Sequence, residues 1–205
     1  MKLYFHYCTF GFSNSYILGS DDGAEIKEAL IIDPGNMDET TLRYIEDNEY
    51  NLRGVLITHD HLNHVHGLKT LMRIYKTEIY GINPVIREHR TVLVRDGDIF
   101  STGSFRVEVI SVPGHSADSA VFKIGHLLFS GDVLSAGLVG RTASAYGLAN
   151  QMTALRSKIL SLPGNYTVLP GHGPPTSLDA ERLFNAGVNS FEDFKARRPR
   201  FSVSI

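Results

Sequence analysis

Four segments of this 205-residue chain are built alike: an apolar run with strand character stops at a small-residue turn, and a histidine or an aspartate stands in that turn. They are VLITHDHLNH (55–64), VISVPGHSADS (109–119), HLLFSGD (126–132) and YTVLPGHGPPT (166–176). Strand ends that present such side chains on loops are how a rigid scaffold assembles a site from distant parts of a chain. A single histidine after Pro-Gly is an ordinary turn residue. Two Pro-Gly-His turns, a strand-end His-x-His and a strand-end Gly-Asp together form a set. His59 and His61, two residues apart, cannot share a helix face and belong on an irregular loop, where both imidazoles can turn towards one ion. Four of the nine histidines fall within 59–66. Imidazole and carboxylate donors without thiolate suit Zn²⁺, Fe or Mn, with Zn²⁺ the default.

Around these segments the pattern predicts many short strands: 2–7, 15–18, 29–33, 55–58, 90–94, 98–100, 105–111, 120–124, 127–130 and 166–169. Helical spacing predicts helices over 37–48, 67–75, 148–160 and 178–188. Residues 191–205 carry no clear periodicity. The strands are too many and too short for a doubly wound parallel sheet. They fit an α+β sandwich of two packed mixed sheets with helices outside, as one domain over 1–205.

Composition narrows the function. The formal charge of −2 offers no basic footprint for nucleic acid or an anionic membrane. Cys8 is the sole cysteine, which excludes an internal disulfide and a Cys-rich zinc site. The N-terminal stretch is interrupted by His6 and Asn14 and lacks the apolar run of a signal peptide. No stretch reaches the roughly 18–20 apolar residues that cross a bilayer. The expectation is a cytoplasmic protein acting on a small molecule, with no nucleic-acid or membrane partner.

Read together, Thr58-His59-Asp60-His61-Leu62-Asn63-His64 and the later His115, Asp132 and His172 resemble the metallo-β-lactamase superfamily, and within it the glyoxalase-II-like branch. The family motif is T-H-x-H-x-D-H, followed in order by P-G-H, G-D and G-H. The resemblance runs from the Asn14–Leu18 strand to about Asn185. It implies an αββα fold in which His59, His61 and His115 hold one metal, His64 and His172 a second, and Asp132 bridges both. It also implies a hydrolase of a small acyl substrate, a glutathione-type thioester above all, with metal-activated water as nucleophile. Arg141 matches a basic position that contacts the glutathione portion in the family, and Tyr146 is a further candidate for substrate contact.

The chain departs from the family at Asn63, where an aspartate would bind the second metal and accept the nucleophile's proton. It departs again at His66-Gly67, where the family has Gly-Gly. A neutral amide removes one charge from the second site, so unequal metal affinities are expected. His66 is read as exposed or as an outer partner, and Asp60 as solvated or hydrogen-bonded. Thirty-three residues follow His172, fewer than the extra helical region with which glyoxalase II grips glutathione. Two rival readings stay open: a mononuclear iron oxidoreductase of the persulfide dioxygenase kind, and a non-catalytic metal-binding relative.

Overall fold

Successive side chains on a strand point to opposite faces, and the central strands here are apolar on both faces, so each sheet must be covered twice. The computed structural model describes residues 1–20, 23 and 25–190. Its first half supplies β1 (Lys2–Cys8), β2 (Ser13–Gly19), β3 (Glu28–Ile32), helix α1 (Glu39–Asp47), β4 (Asn51–Leu56), α2 (Leu62–Val65), α3 (Leu68–Ile74) and β5 (Glu78–Gly81). A small hairpin of β6 (Val85–Ile86) and β7 (His89–Arg90) then leads to β8 (Val92–Leu93). The first sheet has the order β1-β2-β3-β4-β5-β8, antiparallel over β1–β3 and parallel from β3 to β8.

The second half supplies β9 (Ile99–Thr102), β10 (Phe105–Ser111), β11 (Ala120–Ile124), β12 (Leu127–Gly131) and a hairpin of β13 (Leu134–Ser135) and β14 (Leu138–Val139). Helix α4 (Ala145–Ala154) continues as a π-helical turn at Leu155–Ile159, followed by β15 (Thr167–Pro170), β16 (Thr176–Ser177) and α5 (Leu178–Phe184). The second sheet has the order β16-β15-β12-β11-β10-β9, with one parallel pair, β12–β15. Both sheets are therefore mixed.

Three apolar layers bind these elements. Tyr16, Leu18, Leu30, Ile32 and Leu56 from the first sheet meet Val107, Val109, Phe122, Phe129 and Leu169 from the second. Their strand neighbours Ile17, Ile31 and Val55 point the other way, under Ile45 of α1 and Leu68 and Leu71 of α3. On the far face of the second sheet Val121, Leu128 and Val168 pack against Met152, Leu155 and Leu178. Helix, sheet, sheet and helix stack in that order, the expected αββα sandwich. Each fully buried Leu, Ile or Phe here contributes about 1.5–3 kcal/mol.

Differences from the expected elements are local. The expected helix over 178–188 stops at Asn185, whose backbone is extended (ψ 114°). The Asn185 side chain accepts from the Val188 N–H at 3.1 Å and so caps a second short helical stretch over 186–190. The expected strand over 90–94 is split between β7 and β8, which pair with different partners. Strand β5 and the two hairpins are not among the expected elements; the hairpin strands, of two residues each, hold too little periodicity to be read. The 191–205 tail lies outside the described residues.

Candidate metal centre

The ligand-bearing turns all leave one end of the sandwich: 57–64 after β4, 112–119 between β10 and β11, Asp132 after β12 and 171–173 after β15. For His59 and His115 the nitrogen free to bind is set by the hydrogen bond of the other ring nitrogen. Thr58 Oγ1 donates to Asp33 Oδ2 (2.6 Å), so at 3.1 Å it accepts from His59 Nδ1–H. His115 Nδ1–H donates to the Arg141 carbonyl at 2.8 Å. Both Nε2 atoms therefore carry lone pairs, and each lies 3.0 Å from His61 Nδ1. One proton on His61 cannot bridge to both. Asp132 Oδ2 stands 3.8 Å from His59 Nε2 and 3.5 Å from His115 Nε2. Three imidazole nitrogens and a carboxylate oxygen that converge in this way make a cation site, and outer partners that lock the tautomers are its usual companions.

A second group shares Asp132. His64 Nδ1–H points at Asp33 Oδ2 (3.1 Å), which turns Nε2 towards Asp132 Oδ1 at 3.3 Å. Neither of these two buried atoms has a hydrogen-bond partner. A lone pair facing a carboxylate oxygen is repulsive unless a proton or a cation lies between them. His172 Nδ1–H donates to the Phe12 carbonyl at 2.8 Å, and its Nε2 lies 3.5 Å from Asp132 Oδ2. His64, Asp132 and His172 thus form a second potential metal group next to that of His59, His61, His115 and Asp132. The donor set fits divalent metal in both places. Here Asn63 intervenes: its Nδ2 lies 2.9 Å from His172 Nε2. Because that nitrogen is an acceptor, the amide NH₂ faces it and occupies its lone pair.

Two glycines allow this close packing. Gly131, at φ 49°, sits so near Thr58 that a Cβ would lie 2.5 Å from its Oγ1. A Cβ on Gly171 would collide with Asp132 Oδ1 and the His64 ring. Either side chain would push Asp132 out of register with the imidazoles.

Electrostatics follows from burial. Burial, with the neighbouring charge of His64, holds His59 down at about 3, so its imidazole is neutral at pH 7. His61 is lowered by burial and by His115. Burial alone would raise Asp132, but the cationic form of His64, then His59 and His172, outweigh it and keep the carboxyl far below its usual range. Burial would lower His64, but the carboxylates of Asp132 and Asp33 outweigh it and raise the imidazole to about 9. In the metal-free chain one proton on His64 thus does the work of a cation between two carboxylates.

All six expected metal-binding side chains come together. Arg141 lines, with His115, Asp132 and His172, a pocket of about 340 Å³ also lined by Ser135, Leu138, Val139 and Gly140. Tyr146 does not: it is 77% exposed in the first turn of α4, outside the pocket lining. His66 stacks on Phe10 with ring centroids 4.0 Å apart and belongs to neither metal group. Asp60 forms an ion pair with Arg87. Sequence reasoning missed Asp33, which accepts from Thr58 N–H (2.7 Å) as well as from Thr58 Oγ1 and His64. Its only trace was an acidic residue at a strand end before Pro-Gly. Asn14 was also missed as a support: its Nδ2 donates to the Pro170 and Gly173 carbonyls on either side of His172.

Comparison with known proteins agrees with this geometry. The family model of the metallo-β-lactamase superfamily matches residues 8–172. The chain is 31% identical to the hydroxyacylglutathione hydrolase GloC of Haemophilus influenzae, over 80% of this chain and 89% of that one. It is 30% identical to the probable metallo-hydrolase YqgX of Bacillus subtilis, over 87% and 93%. Among solved structures, ETHE1 of Myxococcus xanthus superposes with a TM-score of 0.80 at 24% identity, over 97% and 93% of the two chains. Strand-end ligands, mixed double sheet and matched sequence agree, and the chain belongs to the metallo-β-lactamase superfamily.

Proposed function

We propose that this chain is a single-domain, metal-dependent hydrolase of small acyl substrates, with a glutathione-type thioester as the substrate class. The observation that carries the reading is the convergence of three imidazole nitrogens, two of them locked as acceptors, with Asp132 beside an open pocket. His59, His61, His115 and Asp132 would hold the first ion, and His64, His172 and the shared Asp132 a second. Zn²⁺ suits these donors, as do Fe and Mn. A bound divalent ion supplies Lewis acidity, making hydroxide available near neutral pH and polarising the carbonyl under attack.

The chain's own groups do the rest. Asp132, ionised and central to both imidazole groups, accepts a hydrogen bond from the attacking water and orients it towards the acyl carbon. Leu138 and Val139 offer an apolar wall that shields the acyl group from bulk water. No protein nucleophile is called for: Cys8 is fully buried, and burial pushes its thiol up to about 11. Among the described residues no helix is long and apolar enough to cross a membrane. A cytoplasmic site of action is consistent with this reading.

The test is hydrolysis of acyl thioesters by protein loaded with Zn²⁺, Fe²⁺ or Mn²⁺ in turn. No turnover with any of the three would overturn the reading. The Asn63 hold on His172 favours a second reading, a single-iron oxidoreductase of the persulfide dioxygenase kind. Iron as the metal retained in purification, with oxygen consumed on persulfide addition, would establish that one instead.

Two further outcomes follow. Among the described residues the Arg141 guanidinium forms no ion pair, which leaves it available to an anionic substrate end. Arg141→Ala should raise KM by about tenfold with a smaller fall in kcat, the pattern of lost uniform binding. An unchanged KM for glutathione thioesters would remove Arg141 from the substrate site. Metal entering beside His64 must displace its proton, so loading the second site should release a proton from that imidazole at pH 7–8, a release that falls away as pH rises through about 9. Titration calorimetry in buffers of different ionisation heat measures this. The sign for the metal-free fold is the reverse: the raised His64 pKa stabilises it fully below about pH 6.5, and that contribution is lost as pH rises through about 9.

A further inference from the structure

Outside the metal cluster, one carboxylate ties together the two loops that carry the first ligand group. Asp118 lies three residues after His115, in the turn between β10 and β11. Its Oδ2 accepts from the backbone N–H of Asp60, between His59 and His61, at 2.9 Å. The same oxygen accepts from Asn83 Nδ2 at 2.8 Å. Arg87, between β6 and β7, closes the arrangement: its Nη2 donates to the Asp60 carbonyl at 3.3 Å, and its Nε lies 3.1 Å from Asp60 Oδ1. Arg87 has φ 55°, a backbone state that a non-glycine residue keeps only where its surroundings fix it.

A His-x-His loop has no regular hydrogen-bonding partner for the backbone between its histidines. Here the amide at 60 is held by a charged acceptor from the other ligand loop, and the carbonyl at 60 by a guanidinium. Both bonds are charge-assisted, the one to Asp118 at ordinary length and the one from Arg87 longer. We propose that Asp118, braced by Asn83 while Arg87 holds Asp60 from the other side, is a positioning residue for the first metal site: it fixes the distance between the His59–His61 loop and the His115 turn. The carboxylate also adds negative charge just outside the imidazoles, where it favours a dication over an empty site. The inference rests on His59, His61 and His115 holding metal, as proposed above.

The experiment uses the full chain and Co²⁺ as probe, with affinity from competition against a chelator and geometry from the visible absorption bands. Asp118→Ala should weaken Co²⁺ binding by about 10–100-fold, the usual effect of removing an outer partner of metal ligands, and should alter the bands. Asp118→Asn keeps an oxygen that can accept from Asp60 N–H and Asn83. It should restore the unmodified spectrum and bring affinity back to within about threefold, which a general loss of stability would not do. If Asp118→Ala does not fold, Arg87→Gln at an exposed position carries the test, with a smaller loss of affinity and a shifted spectrum. Unmodified affinity and spectrum in the variant that folds would overturn the clamp. Failure of the unmodified protein to bind Co²⁺ would instead overturn the metal reading, and the clamp with it.

Discussion

Replacing His115 with alanine is expected to empty the first site. His115 Nε2 is one of three lone pairs aimed at a single point, and its Nδ1–H is committed to the Arg141 carbonyl, so no other part of the ring can substitute. Outer partners of metal ligands commonly contribute 10–100-fold in affinity. Loss of a direct ligand should therefore exceed about 100-fold, enough for the metal to be lost in purification. Elemental analysis and thioester hydrolysis should fall together. The fold should survive, because His115 sits in a turn and its side chain is not part of any of the three apolar layers. His66→Ala is the matched control. That ring only stacks on Phe10, so metal content and activity should stay near their unmodified values. Full activity in the His115→Ala protein would sink the assignment of the first site.

What could be read from the sequence was the chemistry that repeats. Each ligand stood where an apolar run met a small-residue turn, and such boundaries survive into the fold because a buried strand must end before the chain can turn. The supports were harder to see. Asp33, Asp118 and Asn14 are single polar residues whose partners lie 25, 58 and 156 positions away, so no local pattern marks them. Asp33 is buried and at φ 49°, a combination visible only once Thr58 and His64 are known to surround it. Tyr146 is the converse case. It shares a loop region with Arg141 in sequence, but α4 begins at Ala145 and turns the tyrosine into solvent. Adjacency along the chain said nothing of the direction a side chain takes once a helix begins.

The substitution Asn63→Asp tests the residue by which the second site differs most from the first. The Asn63 backbone is held in place: Ser13 Oγ donates to its carbonyl at 2.5 Å, and Gly11 and Gly35 pack so closely that a Cβ on either would collide with it. The side chain therefore stays beside His172, where its amide N–H now occupies the Nε2 lone pair. A second ion must first break that hydrogen bond, then accept a neutral ligand in place of a charged one. The first ion faces neither cost. One metal per chain should be retained through purification, with the second partly lost. Aspartate at 63 is nearly isosteric, yet it reverses the local logic. Its oxygen would face the His172 lone pair, a repulsion that a dication between them converts into two bonds. Metal content should rise from near one towards two per chain at one fixed metal concentration. Excess metal should raise the melting temperature further in the variant than in the unmodified protein, since occupancy of a tighter site stabilises by RT ln(1 + [L]/Kd). Hydrolysis should rise as well, because a carboxylate there can also accept a hydrogen bond from the attacking water. Two tightly held ions in the unmodified protein, with no gain from Asn63→Asp, would show that the amide turns its oxygen to the metal without penalty and that the second site is complete as it stands.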